Sequence, residues 1–218
     1  NNSKIGYNNP VYFIADIAAN HDGSLRRAKD LIKKCADAGA NAAKFQHFQA
    51  ESIISKHGFK KQAKNLSHQK KWKKSVYEVY EEASVNLEWT NELKSECDKN
   101  NIDFFTSPYS LNLVDHVDPY VPAYKIGSGD ITWKEIIDHI SKKNKPVILA
   151  TGASTAKEVN MAISWLKKNN NKIAILQCNT NYTGTNENFK FINLNYLKEL
   201  RLKYKDLIIG LSDHTPGD

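Results

Sequence analysis

The sequence predicts an α/β fold, a TIM-type (β/α)8 barrel of parallel strands that is incomplete after its seventh strand. Three observations carry that expectation. Short aliphatic runs alternate with helical patterns along the whole chain, which is the spacing of parallel strands joined by crossover helices. Each run ends in polar or charged residues: Asp16, Asn20, Lys44, Gln46, Ser107, Lys125, Ser128, Asp130, Thr151, Thr180, Asn181, Ser212 and His214 lie at or just past the C-terminal ends of strands. An open doubly wound sheet would gather such residues at its switch point, whereas a barrel collects them from every strand. Finally, 218 residues with 40% apolar and 10% aromatic side chains suffice for one substantial core, so residues 1–218 are expected to be a single, incomplete barrel domain.

Taken in order, Val11 to Ile17 reads as the first strand, and Asn20-His-Asp-Gly-Ser24 turns into a helix with an apolar face of Leu31, Ile32, Cys35 and Ala36 that stops at Gly39. Asn41 to Phe48 is the second strand. Val76, Tyr77 and Tyr80 mark one helix, and Leu93 with Cys97 another. Ile102 to Thr106 is the third strand, followed by the turn Ser107-Pro-Tyr109. Next comes Tyr124 to Ile126, whose exit Gly127-Ser-Gly-Asp130 is expected to turn tightly on its glycines, with Thr132 and Glu135 as a capping box for the helix of Ile136, Ile137 and Ile140. Val147 to Thr151 is the fifth strand, and Thr155 with Glu158 is a second capping box. Ile173 to Cys178, a helix from Tyr196 to Leu202, and Leu207 to Leu211 complete the pattern.

The net charge of +7 would suit nucleic acid were it spread over a face. It is not. Eight lysines between Lys56 and Lys74, with no acid among them, account for the whole excess. That segment reads first as a solvated loop, then as a lid that draws anions, and only last as a nucleic-acid patch, since Phe59 and Trp72 are too few for a stacking platform. No run is long and apolar enough to span a membrane, and no signal-peptide pattern opens the chain. Cys35, Cys97 and Cys178 are odd in number, far apart and set in apolar patterns, so they read as buried thiols of a reducing, cytoplasmic protein.

The stretch Val121 to Asp130 focuses the chemistry. A strand that ends in a lysine, two glycines, a serine and a carboxylate directs N–H groups, a hydroxyl and an ammonium at whatever lies beyond it, which suits a phosphate or carboxylate. Two strand-end lysines, Lys44 and Lys125, both pointing into a barrel mouth would be costly to bury without an anion.

Seven segments, Ile14–Gly23, Ala43–Gln46, Thr106–Tyr109, Pro122–Asp130, Ala150–Gly152, Leu176–Cys178 and Gly210–Thr215, resemble in sequence and order the sialic acid synthase family. Its members condense phosphoenolpyruvate with an N-acylated hexose, such as N-acetylmannosamine or a 2,4-diacetamido-trideoxyhexose, to give sialic, legionaminic or pseudaminic acids. The resemblance implies catalytic roles for Asp16, Lys44, Lys125 and Asp130, with Asp16 and Asp130 as candidates for acid and base work. It implies substrate contacts from Gln46, Ser107, Ser128, Thr151, Thr180, Asn181, Tyr182 and Ser212. His214 matches one ligand of a divalent metal, Mn²⁺ or Mg²⁺. Asn20 and His21 are assigned to holding the first loop.

The family commonly carries glutamate where this chain has Asp16 and Asp130, and proline where it has Thr183. In the family a C-terminal antifreeze-like domain of the partner subunit covers the site of a homodimer. No such domain follows in these residues, and the eighth strand with the second histidine ligand is likewise absent. Two other readings stand beside the synthase: another phosphoenolpyruvate-dependent 3-deoxy sugar acid synthase, or a non-catalytic barrel that binds an anion.

Overall fold

The computed structural model describes residues 3–58, 72–180 and 185–215. They form two compact units, one built on Val11–Pro122 and the other on Lys4–Pro10 with the chain from Ala123 onward. Among the described residues there are seven strands, every pairing is parallel, and no helix is long and apolar enough to cross a membrane.

The first unit carries β1 (Ile14–Ala18), β2 (Ala42–His47) and β3 (Asp103–Pro108) in that order. β1 starts three residues later than the hydrophobic pattern suggests, because Val11 and Phe13 lie on the surface. Its helices are α1 (Leu25–Asp37), α2 (Ala50–Ile53), α3 (Val76–Ala83), α4 (Thr90–Lys99) and α5 (Leu111–Val117). α1 begins where the Ser24 side chain accepts from the Arg27 N–H, and it ends at Gly39, whose φ of +85° is open to glycine without strain. α5 was not anticipated. Ser110 caps it, and Leu113, Val114 and Val117 bury its inner face.

A polar cluster, buried at His47, Thr90 and Thr106 and half-buried at His116, lies at β2. His47 Nδ1 is 2.8 Å from Thr106 Oγ1 and its Nε2 is 3.0 Å from Thr90 Oγ1, which in turn is 3.0 Å from His116 Nε2. Burial, followed by the nearby His116 and His21, pushes the His47 pKa down to about 3. At His47 the folded state therefore binds fewer protons than the unfolded chain between about pH 6.5 and pH 3, and the contribution of His47 to stability falls as pH drops through that window. Urea titrations are expected to show the midpoint declining over this range, and His47→Gln should flatten the decline; an equal slope in the variant would remove His47 as its source.

The second unit orders β4 (Tyr124–Ile126), β5 (Val147–Ala150), β6 (Ile173–Cys178) and β7 (Ile208–Ser212) side by side. α6 (Lys134–Ser141), α7 (Ala156–Lys167) and α8 (Asn195–Lys203) belong to the same unit. Ile136, Ile137, Ile140 and Leu166 are all but inaccessible to solvent, and each contributes on the order of 1.5–3 kcal/mol by that burial. The Thr155–Glu158 capping box forms as expected. The Thr132–Glu135 box does not: Trp133 precedes α6 without a side-chain cap, and Ser128–Asp130 forms a 3-10 turn instead. Nor do Gly127 and Gly129 use left-handed backbone; among the described glycines only Gly23 and Gly39 do.

The three cysteines are free thiols, but only Cys97 is buried, while Cys35 and Cys178 are partly exposed. The difference matters at Cys178.

Candidate active site

Each unit brings a group of the expected residues to the C-terminal ends of its own strands. In the first, parallel pairing sets Asp16 of β1 beside Lys44 of β2, and Gln46 beside Ser107 of β3. Lys44 is 7% exposed, and its ammonium lies 2.7 Å from Asp16 Oδ1. A buried ammonium needs such a partner, because desolvation without one costs several kcal/mol. Gln46 Nε2 donates to the Tyr109 hydroxyl at 3.2 Å, so Tyr109 joins the group although only its turn was noted in the sequence. Ser107 is buried beside them.

The first loop is held as expected. Asn20 Nδ2 donates to the Ile17 carbonyl, His21 Nδ1 accepts from the Gly23 N–H, and Arg27 Nε donates to the Asn20 carbonyl. These bonds fix the turn that leaves β1 just after Asp16.

In the second unit, Lys125 of β4 is 9% exposed, and the 3-10 turn after the strand carries Ser128 and Asp130. Ser128 Oγ accepts from the Gly152 N–H at 3.2 Å and donates to Cys178 Sγ at 3.5 Å. Thr151 Oγ1 donates to the Leu176 carbonyl, tying the end of β5 to β6. Gly152 stands in one of the seven matching segments, but the sequence assigns it no role. A Cβ there would stand 2.3 Å from Thr180 Cγ2, 3.0 Å from Ser128 Oγ and 3.1 Å from Cys178 Cβ, so only glycine lets these groups close around the turn.

The end of β7 adds Ser212 and His214, and the turn between them is held by Asp213, which accepts from both the N–H and the hydroxyl of Thr215. Burial raises the Cys178 thiol, but hydrogen bonds with His214, Ser128 and Ser212, together with the charge of His214, outweigh it and leave the pKa below the ordinary value. Among the described residues no group of three or more His, Cys, Asp or Glu side chains is placed to hold a metal ion. His214 is thus one candidate ligand, engaged with Cys178, and the described residues do not make up a complete metal site. Asn181 and Tyr182 lie outside the described residues, as does most of the lysine-rich segment.

Asp130 is electrostatically distinct. Burial pushes its pKa up to about 6, against the opposing pull of Lys125. Such a carboxyl can exchange a proton near neutrality, as an acid–base group must. The same shift has a sign for stability: the neutral form is favoured by folding, so the contribution is complete below the unfolded value near 3.8 and is lost as pH rises through about 6. Asp130→Asn should therefore be more stable than the parent at pH 8, by about 1–3 kcal/mol. Equal denaturation midpoints at pH 8 would contradict the buried charge.

The model of the NeuB family matches residues 31–218. The N,N'-diacetyllegionaminic acid synthase of Campylobacter jejuni is 35% identical over 94% of this chain, which spans 60% of that protein. The solved N-acetylneuraminic acid synthetase of Leptospira borgpetersenii, in complex with citrate, superimposes with a TM-score of 0.86 at 31% identity, covering 99% of this chain and 69% of the other. A truncated 3-deoxy-D-arabino-heptulosonate 7-phosphate synthase from Thermotoga maritima, at 13% identity and a TM-score of 0.64 over 94% of this chain and 64% of its own, shares the fold alone. The fold class is accordingly the TIM-type α/β barrel of these neighbours, represented by seven strands among the described residues. With its strand-end motifs in order and the family's pattern running through most of its length, the chain belongs to the NeuB family.

Proposed function

We propose that the chain is the barrel of a nonulosonic acid synthase, which condenses phosphoenolpyruvate with an N-acylated hexose and water to a nine-carbon 3-deoxy-2-keto acid and phosphate. The observation that carries this reading is the pair of lysines, Lys44 and Lys125, each more than nine-tenths buried at the end of a parallel strand in a chain of this family. Buried cations at strand ends are suited to an anionic donor.

The family reading assigns Lys44, Lys125, Ser128 and Ser212 to phosphoenolpyruvate. Carbon 3 of the donor attacks the aldehyde of the open-chain sugar, water adds at carbon 2, and the resulting tetrahedral intermediate expels phosphate. Lysines and backbone donors fixed in advance stabilise charge as it moves toward the leaving phosphate. Asp130, poised near pH 6, is the group able to give or take a proton during these steps. Gln46, steadied by Tyr109, is assigned to the sugar.

The test is phosphate release from phosphoenolpyruvate by the full-length protein with Mn²⁺, offered N-acetylmannosamine and a 2,4-diacetamido hexose in parallel. Release that depends on one sugar supports the reading and names the acceptor. No release with either, from folded protein, rejects it.

A further inference from the structure

Gln46 and Tyr109 form a couple within the first unit. Parallel pairing sets Gln46 opposite Ser107, and Tyr109 follows Ser107 by two residues, on the same face by the alternation of a strand. The Tyr109 hydroxyl accepts from Gln46 Nε2 at 3.2 Å. Gln46 is half-buried, and this bond is what steadies its amide.

Tyr109 is itself held through both backbone and ring. Its N–H donates to the His47 carbonyl at 2.9 Å, which carries the pairing of β2 with β3 one residue past Pro108. The ring stands edge-on to Phe48, with centroids 6.2 Å apart and planes at 86°. Phe48 is buried in turn, and its ring lies 5.7 Å from that of Tyr80 in α3. Packing thus fixes where the hydroxyl stands, and the longer, more flexible glutamine comes to it.

A carboxamide is nearly symmetric in shape and wholly asymmetric in chemistry, since turning it over exchanges an acceptor for a pair of donors. At Gln46 the nitrogen faces the tyrosine hydroxyl, and Oε1 is the atom left for a ligand. An acceptor fixed in advance spares a ligand the cost of ordering it.

We propose that Tyr109 is a positioning residue for the acceptor sugar: by engaging Gln46 Nε2 it presents Gln46 Oε1 as a fixed acceptor, so that the site selects a sugar offering a hydroxyl donor there. The assignment rests on the synthase reading and adds to it the residue that sets the polarity of the Gln46 contact. Tyr109 acts through Gln46 and itself need touch no substrate.

Tyr109→Phe keeps the ring against Phe48 and removes only the hydroxyl. The experiment uses the full-length protein and whichever of N-acetylmannosamine and the 2,4-diacetamido hexose it accepts. The variant should raise the sugar KM about three- to tenfold, with a smaller change in kcat, and leave the KM for phosphoenolpyruvate where it is. In a Gln46→Leu background the same substitution should add nothing, because a residue that acts through Gln46 has no effect without it. An unchanged sugar KM in Tyr109→Phe overturns the proposal. So does an equal rise in both backgrounds, which is what a merely structural tyrosine would give. A second readout does not depend on turnover: the side-chain amide signals of Gln46, identified in NMR spectra by their loss in Gln46→Leu, should shift in Tyr109→Phe. Signals that stay in place overturn the coupling of the two residues. Signals that move, in a protein that releases no phosphate with either sugar, reject the synthase reading and with it the role toward the sugar.

Discussion

Lys125→Ala is expected to lower kcat/KM for phosphoenolpyruvate by about two to three orders of magnitude, mostly through KM. The lysine is almost wholly buried, so the energy of its contact with an anion is little screened by solvent. Nor can a neighbouring water take the place of its charge. The substitution has a second readout. Lys125 opposes the burial that raises Asp130, so its loss should move the Asp130 pKa above its present value of about 6. If that carboxyl shapes the pH–rate profile, the corresponding limb shifts to higher pH in the variant. Unchanged phosphoenolpyruvate kinetics would remove Lys125 from the site, and an unmoved limb would uncouple it from Asp130.

Gly152→Ala should produce the largest effect of any single added methyl group. The new carbon would start 2.3 Å from the Thr180 methyl, a distance that carbon atoms do not tolerate, with Ser128 Oγ and Cys178 Cβ closing off the other directions. Thr180 is β-branched and turns away only at a rotamer cost. Overpacking of this kind costs about 1–3 kcal/mol, and the displaced Ser128 should weaken phosphoenolpyruvate binding as well. A lower urea midpoint with an unchanged m-value would register the first effect. Thr180→Ser removes the offending methyl, so the double variant should recover much of both losses. Failure of Thr180→Ser to rescue would place the strain elsewhere.

Much of the scaffold could be read from the sequence because each strand carries its own signal. The runs beginning near Tyr124, Val147 and Ile173 are short, aliphatic and closed by polar residues, and the structure starts β4, β5 and β6 there. The capping box at Thr155 was legible for the same reason, since a threonine and a glutamate three residues apart satisfy one another locally. The same pattern at Thr132 misled, because the chain after β4 first makes a 3-10 turn and reaches α6 through Trp133. α5 was overlooked between a turn and a strand, although Leu113, Val114 and Val117 stand at helical spacing.

Within the candidate site, the residues that motifs fix were found and those that only packing fixes were not. Lys44 and Lys125 stand out as charges at the ends of apolar runs. Gly152 lies in a matching segment, but its role shows only when Thr180 and Cys178 are seen closing on it.

The parallel pairing also bears on how quickly each unit can form. In the second unit β4 pairs with β5 through Tyr124 and Val147, and β5 with β6 through Val147 and Ile173, so each strand waits for only one helix to be crossed. In the first, β2 meets β3 through Ala42 and Asp103, more than twice as far apart along the chain. Closing a longer loop costs entropy before any contact repays it, and non-local pairings slow folding. The second unit should thus collapse early, while β2, with Lys44 on it, waits longer for its β3 partner.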